Sequence, residues 1–154
     1  MTRWLRTMAL PPLAACSILG GPSLEGEWSG SEDCAVAGFA LALDLKMELE
    51  QTDAREYEGD FELGFAFSND SAEDPDPSLY DAILDVEDVG GWPKQVDLLL
   101  VAQDCEQDDP ADCEFEYRGD WEDRDSIEID ESYFGEDWVD LRDIQGCDFD
   151  LDRE

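Results

Sequence analysis

The chain has 154 residues, and 43 Asp and Glu against 9 Lys and Arg give it a net charge of −34 at pH 7. A body this acidic is repelled by nucleic-acid phosphates and by anionic membrane surfaces, which excludes both as partners of the protein body. Hydrophobic residues still make up 42% of the chain and aromatics 10%, whereas disordered acidic chains are poor in aromatics. The composition therefore predicts one folded, acidic domain.

The N-terminus has the features of an export signal. Arg3 and Arg6 precede a short apolar stretch, Met8–Ala15, and small residues lie directly before Cys16. The tetrad Leu13-Ala14-Ala15-Cys16 resembles the lipobox of bacterial lipoproteins, in which the cysteine is acylated and becomes the first mature residue. The alternative is a disordered N-terminus with an incidental cysteine.

The lipobox resemblance implies a domain organisation and a location. Residues 1–15 would be the signal peptide, 16–23 a lipidated tether, and 24–154 a single acidic domain. Ser17 follows the cysteine, which in the lipoproteins that this segment resembles indicates the outer membrane of the cell envelope. The lipid at Cys16 would be the only contact with the membrane.

From Leu24 onward the hydrophobic residues recur with a period of two, which is typical of strands with one buried face. The clearest examples are Phe39–Leu49 and Tyr57–Phe67, joined by a polar turn, where Leu or aromatic residues alternate with Asp, Glu or Lys. Strands are predicted at Glu25–Gly30, Phe39–Leu49, Tyr57–Phe67, Leu79–Val89, Gln95–Gln103, Phe115–Trp121, Ser126–Ser132, Trp138–Ile144 and Cys147–Leu151.

This pattern predicts an all-β fold, an antiparallel up-and-down meander of about eight strands that closes as a barrel. Two strands share a motif, because Tyr57-Glu-Gly-Asp-Phe-Glu62 matches Tyr117-Arg-Gly-Asp-Trp-Glu122. A glycine two residues before an inward aromatic lets a strand bend sharply as a barrel closes.

The segment Leu24-Glu-Gly-Glu-Trp28 resembles the Gly-x-Trp opening of lipocalins and related calycin barrels. In those families the tryptophan lies on the first strand and plugs one end of the barrel against a basic side chain from the last strands. The resemblance implies that Trp28 is this plug and that Arg142 or Arg153 covers it. The chain is short for a lipocalin and lacks further motifs of that family, so a lipocalin-like barrel is the expectation.

Four cysteines remain when Cys16 is set aside, an even number that suits two disulfides in an oxidising compartment. We predict that Cys34 pairs with Cys147, joining the first and last strands, and that Cys105 pairs with Cys113 around a local loop. Four reduced thiols are the alternative. A zinc site is disfavoured because the sequence has no Cys-x-x-Cys pair and no histidine.

The candidate sites follow from the side chains that remain. Without histidine and without a distinct carboxylate pair, no catalytic residue, cofactor or enzymatic activity is predicted. Asp74, Asp76 and Asp81 form a weak calcium candidate, with a chance cluster as the alternative. Inward aromatics could line an apolar ligand cavity or simply fill the core; they are Trp28, Tyr57, Phe61, Phe65, Tyr117 and Trp121.

The sequence thus predicts a monomeric, lipid-anchored envelope protein without enzymatic activity, which binds a small apolar ligand or an envelope partner. The alternative is a soluble acidic protein that imitates nucleic acid and binds a basic partner.

Overall fold

The computed structural model describes residues 22–36, 38–67, 76–87 and 91–154. The predicted signal peptide and Cys16 lie outside these residues. The described chain forms nine strands, one short helix and one 3₁₀ turn at Pro110–Cys113. The elements are β1 (Gly26–Val36), β2 (Phe39–Gln51), β3 (Glu56–Phe67), β4 (Ser78–Val86), β5 (Lys94–Ala102), β6 (Glu114–Asp123), β7 (Ser126–Phe134), β8 (Asp137–Asp140), α1 (Leu141–Gln145) and β9 (Phe149–Arg153).

The strands form one antiparallel sheet that closes on itself. β1 to β7 lie side by side in chain order, and β9 pairs with β7 on one side and β1 on the other. Eight strands therefore make the barrel. One edge of β7 has two partners: its first half pairs with β9 and its second half with β8. β8 is therefore a ninth strand in addition to the eight of the barrel. The predicted up-and-down barrel is confirmed.

The alternation of side chains places the core inside the barrel. On β2, Leu45, Met47 and Leu49 are buried, while Lys46 and Glu48 between them are exposed. Strands with one apolar and one acidic face suit a barrel that is surrounded by water. The main buried side chains are Leu24, Trp28, Leu43, Leu45, Met47, Leu49, Tyr57, Phe61, Ala82, Leu84, Val96, Leu98, Leu100, Trp121, Ile127, Ile129, Leu141, Phe149 and Leu151.

Two glycines of the repeated motif allow neighbouring strands to approach closely. A Cβ on Gly59 would collide with the backbone carbonyl of Glu48, and a Cβ on Gly119 with that of Glu128. Any side chain at either position would push the adjacent strand away. The predicted role of the motif in barrel closure is consistent with these contacts.

The first and last strands meet along a seam that has few backbone pairs. In the described chain, β1 and β9 pair at Trp28 with Arg153 and at Ser29 with Asp152. Further along β1, the seam is bridged by the disulfide between Cys34 and Cys147, whose Cα atoms are 5.1 Å apart. This confirms the predicted pairing, as does the second disulfide, between Cys105 and Cys113.

Two predicted strands are partly wrong: Glu25–Gly30 ends six residues before the end of β1, which continues to Val36, and Trp138–Ile144 is only partly extended. The segment Trp138–Ile144 was expected to be extended, but β8 ends at Asp140 and the chain turns into the five-residue helix α1. The Asp140 side chain accepts a hydrogen bond from the backbone N–H of Arg142 and so caps the helix N-terminus. Helix α1 ends before Gly146 and delivers Cys147 to the seam.

We expect the seam disulfide to contribute more stability than the loop disulfide. The Cys34–Cys147 bond spans 113 residues and the Cys105–Cys113 bond spans 8. In the chain-entropy description these spans correspond to about 4–5 and about 2–3 kcal/mol. Urea unfolding of Cys34→Ala/Cys147→Ala against Cys105→Ala/Cys113→Ala measures the difference. Equal losses from the two double variants would contradict this assignment.

Candidate functional site

One end of the barrel is closed by Trp28 and Arg153. The indole of Trp28 is 1% exposed, and its Nε1–H donates to the carbonyl of Leu24 at 2.9 Å. The guanidinium of Arg153 lies over the indole ring, 4.4 Å from its centroid. A planar cation stacked on an aromatic face is favourable and keeps water away from the ring.

Arg153 also joins three segments that meet at this closed end. Its guanidinium donates to the carbonyls of Ser23 at 2.6 Å, Glu25 at 2.8 Å and Arg124 at 3.0 Å. These bonds hold the entry to β1 and the turn between β6 and β7 over the core. Of the two predicted covers for Trp28, Arg153 is confirmed; Arg142 lies on the outer surface, where it pairs with Asp148.

At the opposite end of the barrel, several inward-facing apolar side chains are partly exposed. We call this end the mouth. It is formed by inward-facing side chains that are partly exposed and lie against the buried core. Phe115 belongs to this set, because it pairs with the buried Leu100 across β5 and β6 and residues opposite each other share a face; its exposed fraction is 42%. The mouth comprises Leu41, Leu63, Phe65, Tyr80, Phe115 and Tyr117.

The six predicted cavity residues divide between the two ends. Trp28, Tyr57, Phe61 and Trp121 are at most 3% exposed and fill the closed half of the interior. Phe65 and Tyr117 are half-buried and belong to the mouth. The prediction missed the following mouth residues, although they share the alternation that identified the others: Leu41, Leu63, Tyr80 and Phe115.

Aromatic contacts connect the mouth to the core. The Tyr80 ring meets Phe61 at 6.3 Å and Phe115 at 6.1 Å between centroids, both edge to face. The Tyr117 ring lies 5.8 Å from that of Phe149. Burial, with a smaller contribution from Tyr80, raises the pKa of Tyr117 to about 12. Its hydroxyl therefore stays protonated at physiological pH and can donate a hydrogen bond.

Trp121 supplies an unused donor in the closed half. Its Nε1 is buried, and no hydrogen-bond acceptor for it exists among the residues described. Its ring contacts the half-exposed Trp92 edge to face, with 4.7 Å between centroids. A water molecule or a ligand acceptor that reached this N–H would remove an unfavourable buried polar group.

A second cluster lies on the outer surface, at the seam. The Asp148 side chain is 7% exposed, and its Oδ2 forms an ion pair with Arg142 at 2.7 Å. Burial raises the pKa of Glu128 to about 7, and its hydrogen bond with Asp148 and the charge of Asp150 act in the same direction. Two carboxyl groups bond to each other only when one carries a proton, so this contact favours the protonated form of Glu128 as the pH falls below about 7.

The predicted calcium candidate does not form a described site. Asp74 lies outside the described residues, Asp76 is exposed, and Asp81 accepts a hydrogen bond from Gln103 at 3.1 Å. Across residues 22–36, 38–67, 76–87 and 91–154, no group of three or more acidic or cysteine side chains is arranged to hold a metal ion.

The part of the chain that the structure covers includes no helix with the length and hydrophobicity needed to span a bilayer. No protein-family model, curated protein or solved structure shows significant similarity to this chain.

We expect Arg153→Lys to loosen the closed end. Lysine has no planar fork to stack on Trp28 or to reach three carbonyls at once, so the variant should lose about 2–4 kcal/mol of unfolding free energy. Its tryptophan fluorescence should become more accessible to acrylamide. Arg55→Lys, at an exposed position of the same end, is the matched control. Indistinguishable quenching in the two variants would argue against the plug.

Glu128 should make folding pH-dependent. Its pKa rises from 4.5 to about 7 on folding, so the stabilisation from its proton is complete below pH 4.5 and is lost as the pH rises through 7. Glu128→Gln keeps the uncharged form and should be more stable than the unsubstituted protein at pH 8, with this advantage disappearing by pH 5. Thermal unfolding at both values measures it. Glu48→Gln controls for the removal of one negative charge. If Glu48→Gln changed stability with pH as much as Glu128→Gln does, the raised pKa of Glu128 would be refuted.

Proposed function

We propose that this chain is an exported, lipid-anchored envelope protein of non-enzymatic role that binds a small apolar ligand in the mouth of a lipocalin-like barrel. The observation that carries the proposal is the contrast between the two ends of the interior. Trp28 and Arg153 cover the core at one end, where Trp92 is 43% exposed, whereas a set of six apolar side chains that includes Phe115 is partly exposed at the other.

This contrast is what a binding barrel needs. The sealed end supplies a rigid, dry floor, and the open end supplies apolar area that water leaves when a ligand enters. The largely buried, protonated hydroxyl of Tyr117 offers one polar contact inside the barrel. The plug and its stacked arginine also match the arrangement that the Gly26-Glu27-Trp28 resemblance implies, which supports a lipocalin-like relationship.

The two disulfides support export, because such bonds form and persist in oxidising compartments. Together with the lipobox at Leu13–Cys16, they favour an outer-membrane lipoprotein. The lipid attached to Cys16 would be multiple, since a single acyl chain gives only marginal membrane binding.

Labelling tests the anchor directly. Cells that express the full chain are grown with radiolabelled palmitate. The protein should incorporate the label, and it should enter the detergent phase when the cell extract is partitioned. Cys16→Ser should lose both properties while retaining the barrel, whose first strand begins at Gly26. Equal partitioning of the two proteins would refute the lipoprotein assignment.

A neutral alkyl ligand tests the mouth. Decyl maltoside below its micelle concentration should bind the folded domain in calorimetry, and Phe115→Ser should weaken binding about tenfold by removing apolar contact. Leu79→Ser is the matched control, because Leu79 has the same exposed fraction of 42% but pairs with Glu62 on the outer face. Equal losses would place the detergent on the outer surface.

The second candidate function is docking of a basic partner on the outside of the barrel. A shallow depression at the seam is lined by Glu32, Asp44, Asp150 and Asp152 without a cation. Such a surface favours a positively charged protein. This candidate corresponds to the alternative of an acidic protein that imitates nucleic acid. It predicts that Phe115→Ser leaves the binding of the basic partner unchanged.

A further inference from the structure

An acidic loop lies directly beside the mouth. Residues 103–113, between β5 and β6, carry five acids and no Lys or Arg. All five acids are exposed: Asp104, Glu106, Asp108, Asp109 and Asp112. Asp109 is engaged locally, where it accepts a hydrogen bond from the backbone N–H of Ala111 at 3.0 Å. The other four present their charge to the solvent around the mouth.

Covalent and hydrogen bonds keep this loop at the rim. The Cys105–Cys113 disulfide holds its two ends 5.8 Å apart between Cα atoms, and the buried Cys113 precedes Phe115 by two residues. At the other end, the backbone N–H of Gln103 donates to the carbonyl of Leu79 at 3.0 Å. The acidic charges are therefore fixed near the apolar surface of the mouth.

The Lys and Arg residues of the domain lie on other elements than this loop. Residues 22–154 contain seven Lys and Arg. Arg118 and Arg142 are paired on the outer surface with Asp97 and Asp148. Lys46 is exposed on the outward face of β2. The remaining four lie at the closed end, on the turns and strand ends around Trp28: Arg55, Lys94, Arg124 and Arg153.

We infer that the mouth takes a hydrophobic cation, an amphiphile whose apolar chain covers the mouth residues and whose ammonium group lies at the acidic rim. This inference rests on the proposed function and deepens it. The rings of Tyr80 and Phe115 provide aromatic faces for the ammonium, and the loop carboxylates provide the opposite charge. A fatty acid would bring its carboxylate to the most acidic part of the rim without a positive partner.

Three ligands with the same ten-carbon chain separate charge from hydrophobicity. Decyltrimethylammonium, decyl maltoside and decanoate are titrated by calorimetry below their micelle concentrations. The cation should bind about tenfold more tightly than the maltoside at low salt, a difference that one screened ion contact can supply, and decanoate should bind most weakly. The advantage of the cation should shrink in 1 M salt, where charges are screened within about 3 Å.

A pair of matched triple variants locates the attraction. Asp104→Asn/Glu106→Gln/Asp108→Asn removes three charges from the loop and spares Asp109. Glu48→Gln/Glu50→Gln/Glu58→Gln removes three from the exposed outer faces of β2 and β3. The loop variant should lose several-fold affinity for the cation and keep its affinity for the maltoside. The outer variant should leave both unchanged.

Each other outcome has a defined meaning. Equal weakening by both triple variants would show diffuse attraction to the net charge and would overturn the inference. The inference is also overturned if the maltoside or decanoate binds as tightly as the cation. In that case, a loss of maltoside binding in Phe115→Ser would still support the mouth as the binding site of the proposed function. If none of the three ligands binds, the proposed function fails together with the inference.

Discussion

In the described chain, β1 and β9 are joined by two backbone pairs, and the rest of the structure depends on that joint. The sheet can enclose a core only if its first and last strands meet. Arg153 reinforces one end of the seam by bonding the carbonyls of Ser23, Glu25 and Arg124, and Cys34–Cys147 fastens the other. A short ladder is thereby held by a cation at one end and a covalent bond at the other. The core, the closed floor and the mouth all follow from this closure.

The distribution of charge is a second constraint on the barrel. With 43 acids against 9 bases, repulsion across the outer surface opposes compaction. The described ion pairs involve Arg118, Arg142 and Arg153, and two of these three arginines lie at the seam. Where the seam brings carboxylates together, burial and their mutual contacts raise the pKa of Glu128 to about 7. Two of the described ion pairs therefore lie where the barrel closes, at the seam.

Much of the architecture could be predicted from the sequence, because a period of two with acids between apolar residues has one stable arrangement in water. The pairing of Cys34 with Cys147 also followed, since Cys34 lies on the first strand and Cys147 lies two residues before the last. The helix α1 was missed because Trp138–Ile144 alternates like a strand; the capping residues Asp140 and Gly146 were the available signal. The sequence could not decide whether Arg142 or Arg153 covers Trp28, because that depends on the register of the seam. The residues of the mouth could not be identified either, because no local pattern encodes how deeply each strand end is covered.

The contact between Arg153 and Ser23 has a consequence for how the molecule would stand on a membrane. It fixes the point where the chain enters the barrel at the closed end. The eight residues from Cys16 to Ser23 span at most about 28 Å when extended. An acylated Cys16 would therefore keep the sealed floor within about 28 Å of the bilayer, with the mouth at the other end of the barrel. Such a protein would collect its ligand from solution and not from the lipid beneath it.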